Sequence, residues 1–164
     1  MSEMEKLEGA LRFIRGKTEF RPKAAVILGS GLGGYAGQMK IECEIPYGEI
    51  PGFPVSTVKG HDGRFIFGYA GETPVAAMKG RVHYYEGYNM EEVVRPVRML
   101  GMLGAERLLV TNAAGGINLS FQPGDLMLIT DQIASLVPNP LRGENLGQLG
   151  PRFPDMSAVY DKGW

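Results

Sequence analysis

Leu7, Ala10, Leu11 and Ile14 recur at intervals of three and four, which places them on one face of a helix. Ser2 stands three residues before Glu5, the spacing of a capping box, so a helix is predicted over residues 2 to 16. The period then changes. Lys23 to Leu28 is a short apolar, β-branched run that ends on Gly29-Ser-Gly-Leu-Gly-Gly34, and predicts a buried strand entering a glycine-rich turn. Val55 to Val58, Arg64 to Tyr69 and Pro74 to Met78 follow as predicted strands, with turns at His61-Asp-Gly63 and Ala70-Gly-Glu72. Helical spacing returns from Met90 to Leu103, where Val93, Val94, Val97 and Leu100 share a face. Pro96 is expected to kink this helix or mark its first turn, and Gly104 to stop it. Arg107 to Thr111 predicts another buried strand, ending in Asn112-Ala-Ala-Gly-Gly116, and Asp125 to Thr130 a strand after the turn Gln122-Pro-Gly124. Residues 138 to 154, rich in Pro, Gly, Asn and Arg, predict a long surface loop, and Ser157 the opening of a further helix. Strand and helix patterns mix without a repeat or a domain boundary, so residues 1 to 164 read as a single α/β domain.

Composition narrows the functional classes. With 44% hydrophobic and 21% charged residues the chain is ordinary globular protein. Its 17 basic and 18 acidic side chains give a net charge of -1, which offers no footprint for nucleic acid or an anionic membrane. A charged ligand is therefore expected to be small and locally held. Cys43 is the only cysteine, so neither an internal disulfide nor a cysteine zinc cluster is available, as suits a reducing cytoplasm. The opening Met-Ser-Glu-Met-Glu-Lys lacks the order of a secretory signal, and no apolar run reaches membrane-spanning length. A soluble, cytoplasmic protein is expected.

The candidate chemistry gathers around the two histidines. They lie in Lys59-Gly-His61-Asp-Gly-Arg64 and in Lys79-Gly-Arg81-Val-His83-Tyr-Tyr85-Glu86-Gly-Tyr88. Arginine offers a planar charged fork, histidine a tunable donor, and glycine a close approach of backbone, which together suit an oxyanion such as phosphate. Arg81 and His83 alternate with Val82 and so point to the same side of an extended segment, while Glu86 is near enough to orient the imidazole. Tyr84, Tyr85 and Tyr88 suit a sugar, or else core or interface packing. The turn around Ser30 can form a nest of N–H groups for phosphate, or simply a tight turn with positive φ. Small residues at 112 to 116 allow either ligand approach at a strand's carboxyl end or close helix packing. No metal-ligand set and no Gly-x-Ser-x-Gly elbow is present.

Taken in order, these segments resemble the purine nucleoside phosphorylase family, in its trimeric branch acting on inosine and guanosine. The resemblance rests on Ile27-Leu-Gly-Ser-Gly-Leu-Gly33, Gly60-His61, Met78-Lys-Gly-Arg-Val-His83, Tyr85-Glu-Gly-Tyr88, Val110-Thr-Asn-Ala-Ala-Gly-Gly-Ile-Asn118 and Asn139-Pro-Leu-Arg-Gly143, and runs to Asp161. It implies a three-layer α/β/α sandwich around a mixed sheet. It implies that Ser30, His61, Arg81, His83 and the backbone of Ala113 hold phosphate, with His83 and Glu86 as the catalytic pair. Tyr85 would touch the ribose, and Phe153 would cover the sugar of a neighbouring subunit. The implied reaction is phosphorolysis of a purine (2'-deoxy)ribonucleoside to free base and (deoxy)ribose 1-phosphate. Inorganic phosphate is the co-substrate, no metal or organic cofactor is used, and a homotrimer forms.

After Asp161 the chain reads Lys162-Gly-Trp164, where the family continues through a second half. The resemblance is thus to an N-terminal portion, with a sheet incomplete at the C-terminus and base-binding residues expected in the part not matched. Little turnover of inosine by this chain alone is expected on that ground. The alternatives are a methylthioadenosine phosphorylase of the same fold and a non-catalytic remnant that binds phosphate or serves assembly.

Overall fold

The computed structural model describes residues 1 to 56 and 63 to 163. The first helix, α1, spans Glu3–Lys17, and both halves of the expected capping box form: Ser2 Oγ accepts from Glu5 N, and the Glu5 carboxylate accepts from Ser2 N at 2.6 Å. Leu7, Ala10 and Ile14 are fully buried on its inner face, so its position comes from packing as well as from its cap. The strands are β1 (Ala24–Leu28), β2 (Lys40–Pro46), β3 (Arg64–Ala70), β4 (Thr73–Lys79) and β5 (Arg107–Val110), with α2 (Met90–Met102) between the last two. They form one sheet in the order β2-β3-β4-β1-β5. β2, β3 and β4 run antiparallel, whereas β1 is parallel to both β4 and β5. The sheet is mixed, as expected.

Both faces of the central strands are covered. Val26, Leu28, Ile66, Val75 and Ala77 form one apolar cluster with Ala36 and Met39, which belong to the 3₁₀ turn Gly33–Gln38 and its cap. On the alternate positions Phe65 and Phe67 join Phe20, Tyr47 and Phe53 in edge-on and tilted ring contacts 5.0 to 6.0 Å apart. Tyr47 is sealed in this group and donates to the Gly80 carbonyl at 3.3 Å. Burial pushes its phenol far above the ordinary value, because an ionised ring there would lose its water. The neutral form therefore stabilises the fold in full below about pH 10, and that contribution falls by up to about 1.4 kcal/mol per pH unit above it. Tyr47→Phe is expected to flatten the alkaline limb of a stability-against-pH curve, which urea titration above about pH 10 would measure.

In the first unit two expectations change and one strand appears that was not expected. Residues 55 and 56 lie in irregular chain rather than a strand, and the rest of the predicted strand, with the His61 turn, falls outside the described residues. β2 had no prediction, since its exposed positions Lys40, Glu42 and Glu44 mask the apolar alternation. β5 forms, but its side chains are open: Leu109 is 48% exposed, because among the described residues β5 is an outermost strand with a ladder to β1 alone. The helix over 90 to 102 agrees, running through Pro96 to a Leu103 cap with Gly104 at φ 106°.

Contacts within the chain group it into two units, Met1–Ala113 and Ala114–Trp164. The described part of the second unit has no α-helix or strand, only the 3₁₀ turn Gly147–Leu149. The strand predicted at 125 to 130 is irregular, as is the helix predicted from Ser157. A strand needs a hydrogen-bonding neighbour, and side-chain turns take its place here: Asn118, Asp125, Asn139 and Asp155 each accept a nearby backbone N–H at 2.8 to 3.0 Å. The loop predicted over 138 to 154 agrees with the structure.

Candidate phosphate site

The site lies where three parallel strands end. Register pairs Leu28 with Lys79 and Ile27 with Val110, so the carboxyl ends of β1, β4 and β5 are level. Open α/β sheets place ligands at this edge. The chain leaves β1 through Gly29, whose missing Cβ would stand 2.5 Å from the Thr111 carbonyl oxygen and 2.7 Å from Asn112 Cα. Only glycine lets the two strand ends come this close. Thr111 fastens them: its hydroxyl donates to the Ile27 carbonyl at 2.8 Å and accepts from Gly29 N at 2.9 Å.

A cavity of about 270 Å³ opens at this edge. The Gly29 to Gly31 turn with Ser30 forms one wall, and Arg64, Lys79, Arg81 and His83 supply the polar side chains. Among the described residues that line it, none is an Asp or Glu. Arg81 Nη1 donates to the Thr111 carbonyl at 3.3 Å, and Arg81 Nε to His83 Nε2 at 3.4 Å. The predicted convergence of Arg81 and His83 on one side is therefore present, with Val82 buried behind them.

His83 is held from the rear. The Glu86 carboxylate, its side chain 1% exposed, accepts from His83 N at 2.8 Å and from Nδ1 at 2.9 Å. An ionised carboxylate only accepts, so Nδ1 carries a proton and Nε2 is the lone pair of the neutral ring, as the Arg81 contact also requires. The His83 side chain is 28% exposed and lines the cavity. Ser56 Oγ donates to the other Glu86 oxygen at 3.1 Å, and the Tyr88 hydroxyl clamps Val55 by accepting from its N–H at 3.2 Å and donating to its carbonyl at 2.6 Å. The imidazole's orientation is thus tied to the segment that precedes residue 57.

The remaining expected residues are placed as follows. Tyr85, 74% exposed, stacks on the His83 ring with centroids 4.8 Å apart. Ala113 follows Asn112 on exposed chain and receives the Asn112 Nδ2 hydrogen bond on its own carbonyl. Phe153 lies in the second unit with 88% of its surface exposed. His61 falls outside the described residues. Thr111 and Lys79 were not among the predicted site residues. Both stood inside quoted motifs, and their strand-end positions became meaningful only once the register was known.

A glycine turn, an arginine and a carboxylate-backed histidine thus meet on three sides of one cavity at the ends of parallel strands. The chain belongs to the phosphorylase superfamily, whose family model matches residues 23–164. Within it the similarity is to purine nucleoside phosphorylases. The chain is 51% identical over 156 residues to purine nucleoside phosphorylase 1 of Geobacillus stearothermophilus, covering 95% of this chain and 57% of that one. It is 48% identical over 161 residues to the mouse (Mus musculus) purine nucleoside phosphorylase, covering 96% and 56%. Among solved structures, a purine nucleoside phosphorylase in complex with ribose-1-phosphate matches with a TM-score of 0.89 at 40% identity, over 98% of this chain and 60% of that one. The chain thus spans somewhat over half the length of these relatives, and its α/β fold is that of the nucleoside phosphorylases.

Proposed function

We propose that this cavity holds inorganic phosphate for the phosphorolysis of purine nucleosides. The observation that carries the reading is the meeting of Arg81, His83 and the Ser30 turn on one cavity, with no carboxylate among the described residues that line it. The relatives are named purine nucleoside phosphorylases, which supports phosphorolysis of purine nucleosides and gives no support to a methylthioadenosine phosphorylase over it. In this reading Ser30, His61, Arg81, His83 and the Ala113 backbone grip the phosphate, and Glu86 keeps His83 turned towards it. Tyr85, and Phe153 from a neighbouring subunit of a homotrimer, cover the ribose.

A phosphate oxygen then bonds to the anomeric carbon as the carbon–N9 bond breaks, and the electron pair leaves with the purine. The ribosyl group becomes cationic on the way, so a fixed dianion beneath it lowers the barrier by position and charge alone. This chemistry asks for no metal or organic cofactor. The residues named here form the phosphate and ribose side of the site.

Thermal unfolding with added phosphate tests the reading. A specific ligand stabilises by mass action, by about 2.7 kcal/mol at a hundred times its Kd, and sodium nitrate at matched ionic strength should not reproduce the shift. An unmoved unfolding temperature would overturn the proposal. Hypoxanthine supplies the second arm: a shift that phosphate enlarges marks a working nucleoside site, whereas a response to phosphate alone marks a binding remnant.

A further inference from the structure

We propose that Lys79 is a further phosphate-holding residue and that it gives the site its preference for a dianion, an inference that rests on the phosphate reading above. Lys79 ends β4 in register with Leu28, one residue before the Gly29 turn. Its Cε lies 3.7 Å from where a Cβ on Gly33 would stand, so the ammonium-bearing end of the side chain extends over the glycine turn, and the residue lines the cavity beside Ser30 and Arg81. Lysine carries three donors on a flexible stem and binds phosphate as a point charge, which suits a group reaching in from the rim.

The charge balance gives this residue its weight. Arg64 is committed to Glu44, with Nη1 to Oε2 at 2.8 Å. The Arg81 cation is offset by the Glu86 carboxylate that backs His83. With His83 neutral, these four groups sum to zero: two arginines against two glutamates. Lys79 has no ion pair among the described residues, so there its charge alone makes the neighbourhood positive. At the same distance the Lys79 charge attracts a dianion about twice as strongly as a monoanion, so the dianion gains more from it.

Isothermal titration of the intact chain with inorganic phosphate, on either side of phosphate's second ionisation, separates this role from a structural one. Lys79→Gln is expected to weaken phosphate about tenfold where the dianion dominates and clearly less where the monoanion does. Lys79→Arg, which keeps the charge, should restore most of the affinity, and Lys40→Gln on the far edge strand should change nothing. Equal affinity of Lys79→Gln and the parent protein at both pH values overturns the role of Lys79 while leaving the site reading intact. Equal losses at both pH values overturn the dianion preference. If the parent protein itself fails to bind phosphate, the site reading falls, and this inference with it.

Discussion

Arg95→Met is expected to destabilise the first unit by about 3 to 5 kcal/mol, the cost of leaving one member of a buried ion pair without the other. Arg95 and Glu3 are both buried, and the guanidinium meets the carboxylate in a fork, Nε to Oε1 at 2.8 Å and Nη2 to Oε2 at 2.7 Å. The remaining nitrogen, Nη1, donates to the Gly52 carbonyl at 2.6 Å. One side chain therefore joins α1, α2 and the turn after β2. Lys6 and Arg98 lie 4.0 Å from the same carboxylate, which should hold the loss near the lower end of that range. Urea unfolding followed by far-ultraviolet circular dichroism measures it. The double variant Glu3→Leu, Arg95→Met should recover part of the loss, because it removes the stranded charge together with its partner. A single variant as stable as the parent would show that the pair adds nothing. The Gly52 link also matters for the site, since residues 53 to 56 continue from that turn to the contacts of Val55 with Tyr88 and of Ser56 with Glu86.

Arg81→Ala is expected to abolish stabilisation by phosphate, removing about 2.7 kcal/mol at a phosphate concentration a hundred times the parent Kd. The side chain is half-buried and bridges the strand ends, touching Thr111 with one nitrogen and His83 with another, so its removal takes away both the charge and the frame that aligns the imidazole. Arg81→Lys should recover only part of the response, because an ammonium cannot bind two oxygens of one phosphate as a planar fork does. Thermal shift of the three proteins in matched phosphate and nitrate reads the effect. An alanine variant that phosphate still stabilises as strongly as the parent would move the anion elsewhere.

Much of this arrangement was legible from local pattern. The Ser2 and Glu5 cap, the apolar face of α1, the hairpin of β3 and β4 around Gly71, and the Gly104 stop after α2 each depend on residues a few positions apart, where sequence spacing and three-dimensional geometry are nearly the same thing. The facing of Arg81 and His83, and the reach of Glu86 to the ring, are legible for the same reason. β2 was not, because its apolar positions count only once β3 lies beside it. The strand predicted at 125 to 130 failed for the converse reason: an apolar run specifies a strand only when a neighbour takes its hydrogen bonds.

The sequence by itself thus determined both helices, most strands of the first unit and the glycine-lined turn after β1, since short-range sterics and capping act within a few residues. Tertiary structure alone decided which distant groups share a cavity. Parallel pairing of β1 with β4 and β5 sets Ser30, Lys79, Arg81 and Thr111 level with one another, and a single-residue slip in either register would separate them. It also decided that Arg95 spans Glu3 and Gly52 across 92 and 43 residues, a contact that depends on how the helices pack and that no spacing rule contains.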